Sequence, residues 1–210
     1  MPICHDKKFI FFHIPRCAGT SFEDHFQFKE RASLYGVKQH GGLVLTLHHL
    51  TAVDLLRTKL IDDDTLRSYF KFTVIRDPFD RMASDFYWQK RWDRHKEFAE
   101  LDFKAYLNKA ESIIRDGRYY EKVHYDHFRP MADYCVHDGE LLVDDILLLE
   151  DIDNELIRLR DKIGAVNLPH RNGSGDYEEL RTTENLDLVY KLYACDKILH
   201  DNVAQLLGPR

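Results

Sequence analysis

The sequence predicts one α/β domain over residues 1–210, a three-layer sandwich whose central, mostly parallel sheet is flanked by helices. Three observations carry this. Short apolar runs recur along the chain, too brief for helices and dense enough to be strands buried on both faces. Each run is followed by a turn and then by a helical pattern, the order of a βα unit. The 210 residues hold no internal repeat, low-complexity tract or Pro/Gly-rich linker, and that length supports one sizeable core.

The elements follow in order. Lys8 to His13 is the first strand, and Ile14-Pro15-Arg16-Cys17-Ala18-Gly19 turns the chain. Thr20 or Ser21 then opens a helix, with Glu23 three residues after Thr20 as in a capping box. A helix is expected at 51–60. Tyr69 to Ile75 is the second strand, Arg76-Asp77-Pro78 turns, and Phe79 to Lys90 is helical. Pro78 disfavours helical geometry at Asp77 and suits a first turn. Helices are expected at 102–115 and 125–134, a third apolar run at Leu141 to Leu149, and a helix at 151–163. The chain closes on a long amphipathic pattern from Glu184 to Leu207, with Leu188, Leu192, Cys195 and Leu199 three or four apart. Ligands of such sheets bind beyond the carboxyl ends of the strands, so the loops after His13 and Ile75 are the places to look.

Hydrophobic residues make up 44% and charged residues 31% of the chain, a folded rather than a disordered balance. No apolar run reaches the roughly 20 residues that span a bilayer. Met1 to Lys8 is polar and mixed in charge, unlike a secretory signal. The expected location is cytoplasmic, with the Golgi lumen open only to a chain lacking its N-terminal anchor here. A formal net charge of −6 argues against nucleic acid as a partner. Gln89 to Lys96 is nevertheless basic and carries Trp92, either as a solvated helix face or as a local surface for an anionic ligand. The four cysteines, Cys4, Cys17, Cys135 and Cys195, form no Cys-x-x-Cys pair and read as reduced thiols rather than a disulfide framework or zinc site. Oligomeric state is open.

A glycine-containing turn leading into a helix presents free N–H groups and the positive end of the helix dipole to an anion. Here Gly19, Thr20 and Ser21 supply N–H groups and two hydroxyls, and Arg16 a fixed charge. The loop of P-loop NTPases, Gly-x-x-x-x-Gly-Lys-[Ser/Thr], is a poor match. With Gly19 as its second glycine, Thr20 stands where the lysine belongs and Ile14 where the first glycine belongs. ATP or GTP hydrolysis is therefore disfavoured.

His13-Ile14-Pro15-Arg16-Cys17-Ala18-Gly19-Thr20-Ser21-Phe22 resembles the 5′-phosphosulfate loop of sulfotransferases that use 3′-phosphoadenosine 5′-phosphosulfate (PAPS). The form is that of the branch with the heparan sulfate 2-O- and 6-O-sulfotransferases and their bacterial relatives. The departure is Arg16, where that family carries a lysine that contacts the sulfate and the bridging oxygen. Phe72 to Tyr87, with Val74-Ile75-Arg76-Asp77-Pro78-Phe79-Asp80-Arg81-Met82-Ala83-Ser84, resembles the family's 3′-phosphate motif at nearly every position. In isolation Arg76 and Ser84 read as an ordinary salt-bridged arginine and a solvated hydroxyl. The resemblance implies instead that they bind the 3′-phosphate, the guanidinium bidentately; Arg81 has a secondary role. Pro15, Arg16, Cys17, Ala18, Gly19, Thr20 and Ser21 are implied to hold the 5′ end of the donor. Weaker matches are Phe128-Arg129-Pro130-Met131, Glu150-Asp151-Ile152 and the loop Leu168 to Ser174, whose Arg171 and Ser174 are candidate donor contacts.

Transfer to an alcohol needs a group to take the hydroxyl proton, and histidine suits neutral pH. Among twelve histidines, three clusters stand out: His13, His48-His49, and His124 with His127. His13 packs or orients the first loop. His124, His127 and His137 give no convincing metal-ligand set. His48-His49-Leu50-Thr51-Ala52 precedes a helix capped by Thr51 and resembles the family's His-x-Thr-Ala segment, which carries the proposed base; His49 is the candidate, His48 the fallback. The expectation is an in-line sulfuryl transfer from PAPS to a carbohydrate-type acceptor, possibly anionic. It releases adenosine 3′,5′-bisphosphate and needs no metal. A P-loop nucleotide or small-molecule kinase and a non-catalytic nucleotide-binding module are the alternatives.

Overall fold

The computed structural model describes residues 3–28, 34–92, 97–168 and 177–207. Arg171, Ser174 and the 93–96 part of the basic stretch lie outside the described residues. The first half runs β1 (Ile3–Cys4), β2 (Phe9–Phe12), α1 (Gly19–Phe26), β3 (Val37–His40), β4 (Leu43–Thr46), α2 (Ala52–Thr58), α3 (Asp63–Ser68), β5 (Phe70–Ile75) and α4 (Pro78–Trp92). The second half runs α5 (Phe103–Arg115), α6 (Ala132–Cys135), β6 (Val136–His137), β7 (Glu140–Leu141), β8 (Asp145–Leu148), α7 (Ile152–Arg158), α8 (Arg160–Ile163), α9 (Thr183–Leu192) and α10 (Ala194–Leu206).

The fold is mixed α/β, with a central sheet of mostly parallel strands flanked by helices. Its order is β1-β2-β5-β8; β2, β5 and β8 are parallel and β1 is antiparallel at the edge. Every residue of β2 is fully buried, as a continuous apolar run requires. Phe11 stacks on Phe22 of α1 at 4.7 Å and meets Phe72 of β5 at 5.2 Å, so the first strand, first helix and central strand share one aromatic core. A second apolar cluster joins α4, α5 and α9 through Phe79, Phe86, Tyr106 and Val189. Parallel strands bring the loops after β2, β5 and β8 to one edge, where the Asp77 amide donates to Glu150 Oε1 at 2.7 Å. No helix among the described residues is long and apolar enough to cross a membrane.

Several elements differ from the sequence expectation. The capping box at Thr20 does not form: Ala18, in left-handed backbone, is the N-cap, and the Glu23 carboxylate goes to His13 instead. The 125–134 segment is not one helix. Tyr125–Phe128 is a single 3₁₀ turn, Arg129 is extended, and α6 starts only after Pro130, which bars helical geometry at the residue before it. The run Leu141 to Leu149 breaks, because Leu142 N–H turns to Cys135 O and only Asp145–Leu148 joins the sheet. The helix expected at 51–60 stops at Thr58, with Lys59 left-handed. The 151–163 and 184–207 helices each split in two, at Leu159 and at Tyr193. The Tyr193 hydroxyl donates to Phe128 O at 3.1 Å, so a long-range bond holds that break. The β3–β4 hairpin, turning through Gly41 and Gly42 at positive φ, was not anticipated.

Arg81 of α4 ties these parts together. Its side chain is 1% exposed. It donates from Nε to Pro15 O at 3.3 Å and from Nη2 to His127 O and Arg129 O at 2.7 and 2.8 Å. Nη1 faces Asp196 of α10 at 3.6 Å, and that carboxylate accepts the amides of Met131 and Ala132. Burial pushes the Asp196 carboxyl up to about 6, against the pull of Arg81 and the two amides. Removing the guanidinium leaves a buried carboxylate without its cation. Arg81→Met is expected to lose about 3–5 kcal/mol of unfolding free energy in urea, and adding Asp196→Asn to recover part of that loss.

Candidate active site

The loop after β2 is built from close approaches. Arg16 (φ 68°) and Ala18 (φ 59°) are both left-handed. That backbone curls successive N–H groups around a concavity suited to an anion. Gly19 and Thr20, first in α1, have no intrahelical acceptor for their N–H groups. Two other groups of the loop are already used: Cys17 N–H bonds Ile14 O at 3.2 Å and Ser21 N–H bonds Ala18 O at 2.9 Å. The Cys17 thiol is wholly buried and donates to Met131 Sδ at 3.8 Å, and burial pushes it up to about 12. The free donors of this loop are therefore fewer than the residue-by-residue reading expects.

Gly19 is required by its neighbour. A Cβ there would lie 1.8 Å from the His13 ring, whose Nδ1 donates to Glu23 Oε1 at 2.8 Å. Tyr35 donates to the other Glu23 oxygen at 3.3 Å. His13 thus orients the loop, as the sequence suggests.

Arg16 and Ser84, which lie 68 positions apart, meet directly. The guanidinium donates from Nε and Nη2 to Ser84 Oγ at 3.1 and 3.0 Å and sits 5.6 Å from the Trp88 ring centre. Burial lowers the Arg16 pKa, and Asp85 counters this. Arg76 is buried at the carboxyl end of β5, its guanidinium 5.7 Å from the Tyr177 ring. The carboxylates of this second motif have structural partners. Asp77 caps α4 by accepting the Phe79 amide at 2.9 Å and also takes the Tyr190 hydroxyl, while Asp80 pairs with Arg181.

Beside Arg16 lies a cavity of about 230 Å³ lined by His13, Arg16, His48, His49, Trp88 and His127, among others. The elements that aim these side chains are a 3₁₀ turn after β4 (Leu47–His49), α4 and the turn Tyr125–Phe128. His49 Nδ1 donates to Asp126 Oδ2 at 2.6 Å, and its backbone carbonyl accepts the Tyr134 hydroxyl at 3.0 Å. Behind it Thr51 caps α2 as expected, and Asp54 completes a capping box with it. Asp54 in turn receives Arg129 at 2.6 Å. Burial first, then the neighbouring His13 and His127, hold the His49 pKa well below the usual histidine value. His48 stacks on Tyr35 at 4.6 Å and is pushed down to about 2, mainly by burial; its Nδ1 is buried without a hydrogen-bond partner.

His127 forms a second dyad, Nδ1 donating to Asp85 Oδ1 at 2.6 Å. Tyr106 donates to Asp85 Oδ2 at 2.5 Å. His137, grouped with His124 and His127 in the sequence, pairs with Asp138 instead. The buried potential ligand set among the described residues is His49, Asp126 and His127, whose ligand atoms lie within 4.8 Å of one another. Asp85, Asp126 and Trp88 were given no role by the sequence reading, and Glu23 was read only as a capping residue. Asp126 is 77 positions from His49 and Asp85 is 42 from His127, with no local pattern to link them.

The class is an α/β fold whose strand-end loops carry the half-buried Arg16, the buried Arg76 and a glycine-bearing helix start, a site suited to anions. The chain belongs to the sulfotransferase family, whose model matches residues 1–200. Its class of reaction is sulfuryl transfer to an acceptor. No curated protein and no solved structure matches the chain.

Gly19→Ala forces the His13 ring off Glu23. It is expected to destabilise the fold by about 1–3 kcal/mol in urea denaturation, the range for overpacking a filled site.

Proposed function

We propose that this chain transfers the sulfuryl group of PAPS to a hydroxyl of a carbohydrate-type acceptor, after the manner of the heparan sulfate 2-O- and 6-O-sulfotransferase branch. The observation that best supports it is the convergence on one cavity of Arg16, Thr20 at the start of α1 and His49, whose Nδ1 is held by Asp126. Charge handling for a leaving phosphate thus adjoins a proton acceptor, the two requirements of the reaction.

In this reading the donor's 5′-phosphosulfate sits on the Arg16–Thr20 loop and its 3′-phosphate on Arg76 and Ser84. The pairing of Arg16 with Ser84 joins the two ends of that site before the nucleotide arrives. Because Asp126 accepts from His49 Nδ1, that nitrogen carries the proton and Nε2 keeps its lone pair. The acceptor oxygen attacks sulfur as Nε2 takes its proton. The bond from sulfur to the bridging phosphate oxygen breaks, and its electron pair leaves on adenosine 3′,5′-bisphosphate. Arg16 and the amides of Gly19 and Thr20 stabilise the charge on that oxygen. Asp126 stabilises the imidazolium as it forms. Charge neutralisation is supplied by side chains and amides in this scheme, and no metal enters it. His49 is favoured over His48 as base because only His49 has a carboxylate on Nδ1.

Calorimetry is expected to show adenosine 3′,5′-bisphosphate binding at least about tenfold more tightly than 5′-AMP or ATP. Arg76→Ala should erase that preference, since a bidentate phosphate contact contributes about 1.5–3 kcal/mol. Equal binding of ATP would favour a kinase. In a bisphosphate-release assay with PAPS, His49→Ala should lower kcat by about 10²–10⁴, and His48→Ala by far less. The low pKa of His49 keeps it in the neutral, base form as the solution is acidified. The acid limb of kcat/KM assigned to it should therefore fall below the usual histidine pKa of about 6.5. An acid limb at 6.5 that disappears in His49→Ala would contradict this.

A further inference from the structure

Three histidine–carboxylate dyads flank one cavity; the His13 ring packs against Gly19, and transfer to one hydroxyl uses only one of the other two. Building on the proposed sulfuryl transfer with His49 as base, we propose that the Asp85–His127 dyad binds a second hydroxyl next to the reacting one. The acceptor is then a vicinal diol, as a pyranose ring presents, and His127 is its specificity determinant.

His49 Nδ1 and His127 Nδ1 each lie 2.6 Å from a carboxylate oxygen. Carboxylates only accept, so each Nδ1 carries a proton, and in the neutral ring Nε2 is an acceptor. Both rings line the same cavity, with centroids 5.2 Å apart. A ligand settling between two acceptors must donate twice from nearly one place. A lone alcohol donates once; neighbouring hydroxyls of a sugar ring donate twice.

The second dyad is held too firmly to be packing. Trp88 stacks on His127 at 4.8 Å, and Tyr106 fixes the far oxygen of Asp85. Burial opposes the Asp85 charge, yet the hydrogen bonds from His127 and Tyr106, with Arg16 nearby, hold its pKa down at about 2. Taking a carboxylate out of water is expensive, and an apolar pair would fill the space more cheaply. The dyad's use lies in what the free nitrogen of His127 binds.

A divalent cation is the other ligand that suits this place, since His49, Asp126 and His127 form a possible ligand set and Asp126 Oδ1 is buried without a partner. The same hydrogen bonds would orient the rings toward either ligand, and the number of remaining ligands favours the diol. Asp126 is committed to the Nδ1 proton of His49, and Asp85 to that of His127, leaving two bare nitrogens rather than a closed coordination sphere.

The test compares methyl β-D-glucopyranoside with its 2-, 3- and 4-deoxy derivatives, following bisphosphate release from PAPS by the wild-type protein. Loss of a hydroxyl adjacent to the sulfated one should lower kcat/KM at least about tenfold, mostly through KM, because buried acceptors left unpaired reject such analogues. In His127→Gln, whose amide still donates to Asp85, that penalty should shrink to about threefold or less. In ¹⁵N spectra the parent glycoside should shift the Nε2 resonances of both His49 and His127. Equal turnover of the parent and its adjacent-deoxy analogue overturns the proposal, as does an unchanged penalty in His127→Gln. Stoichiometric zinc bound by the wild type and lost in Asp126→Asn overturns it in favour of a metal site. If no acceptor yields bisphosphate, the transfer reading fails by itself. The ¹⁵N titration then still decides whether the two histidines bind the diol, and an unmoved His127 resonance overturns it.

Discussion

Everything around the cavity hangs on one buried guanidinium. Arg81 reaches from α4 to Pro15 O in the first loop, to His127 O and Arg129 O in the turn opposite, and to Asp196 in α10. Backbone carbonyls in irregular segments need donors when they are buried, and a fixed five-donor fork satisfies several at once. The first loop and the turn carrying Asp126 and His127 are thereby held in one register. Without it, the His49–Asp126 bond would depend on segments with no hydrogen-bond ladder of their own.

The electrostatics of the site follow from burial. His49, His127, Asp85 and Asp126 are all buried, in a volume where charges are costly. Each histidine therefore meets a carboxylate on Nδ1, which fixes the tautomer and ring orientation together. The same burial drives the His48 and His49 pKa values down and keeps both rings neutral. A neutral imidazole backed by a carboxylate can take a proton without first losing one. Arg16 balances these groups, close to Asp85 and bonded to Ser84.

Arg16, where the motif resemblance implies a lysine, has a visible consequence. A planar fork can bond Ser84 Oγ through two nitrogens at once and lie over Trp88, whereas an ammonium would offer a single point charge. The position keeps its charge and gains a directional link between the loop after β2 and α4.

The strands, the βα order and the two loops were legible in the sequence, because apolar runs such as Phe9–Phe12 and Phe70–Ile75 are set by local periodicity and by burial on both faces. Thr51 was readable as a cap for the same reason, since its partner Asp54 lies three residues away. Family motifs carried Arg16, Arg76, Ser84 and the His48-His49 pair. The sequence could not tell His48 from His49, nor show that Glu23 serves His13 rather than a cap. Nor could it show that Asp126 and Asp85 complete two dyads. Those facts depend on side chains meeting across 10, 42 and 77 positions, where neither period nor propensity carries information. Local patterns determined the elements. Only the tertiary structure decided the pairs, because a buried polar group is satisfied by whatever the fold brings beside it.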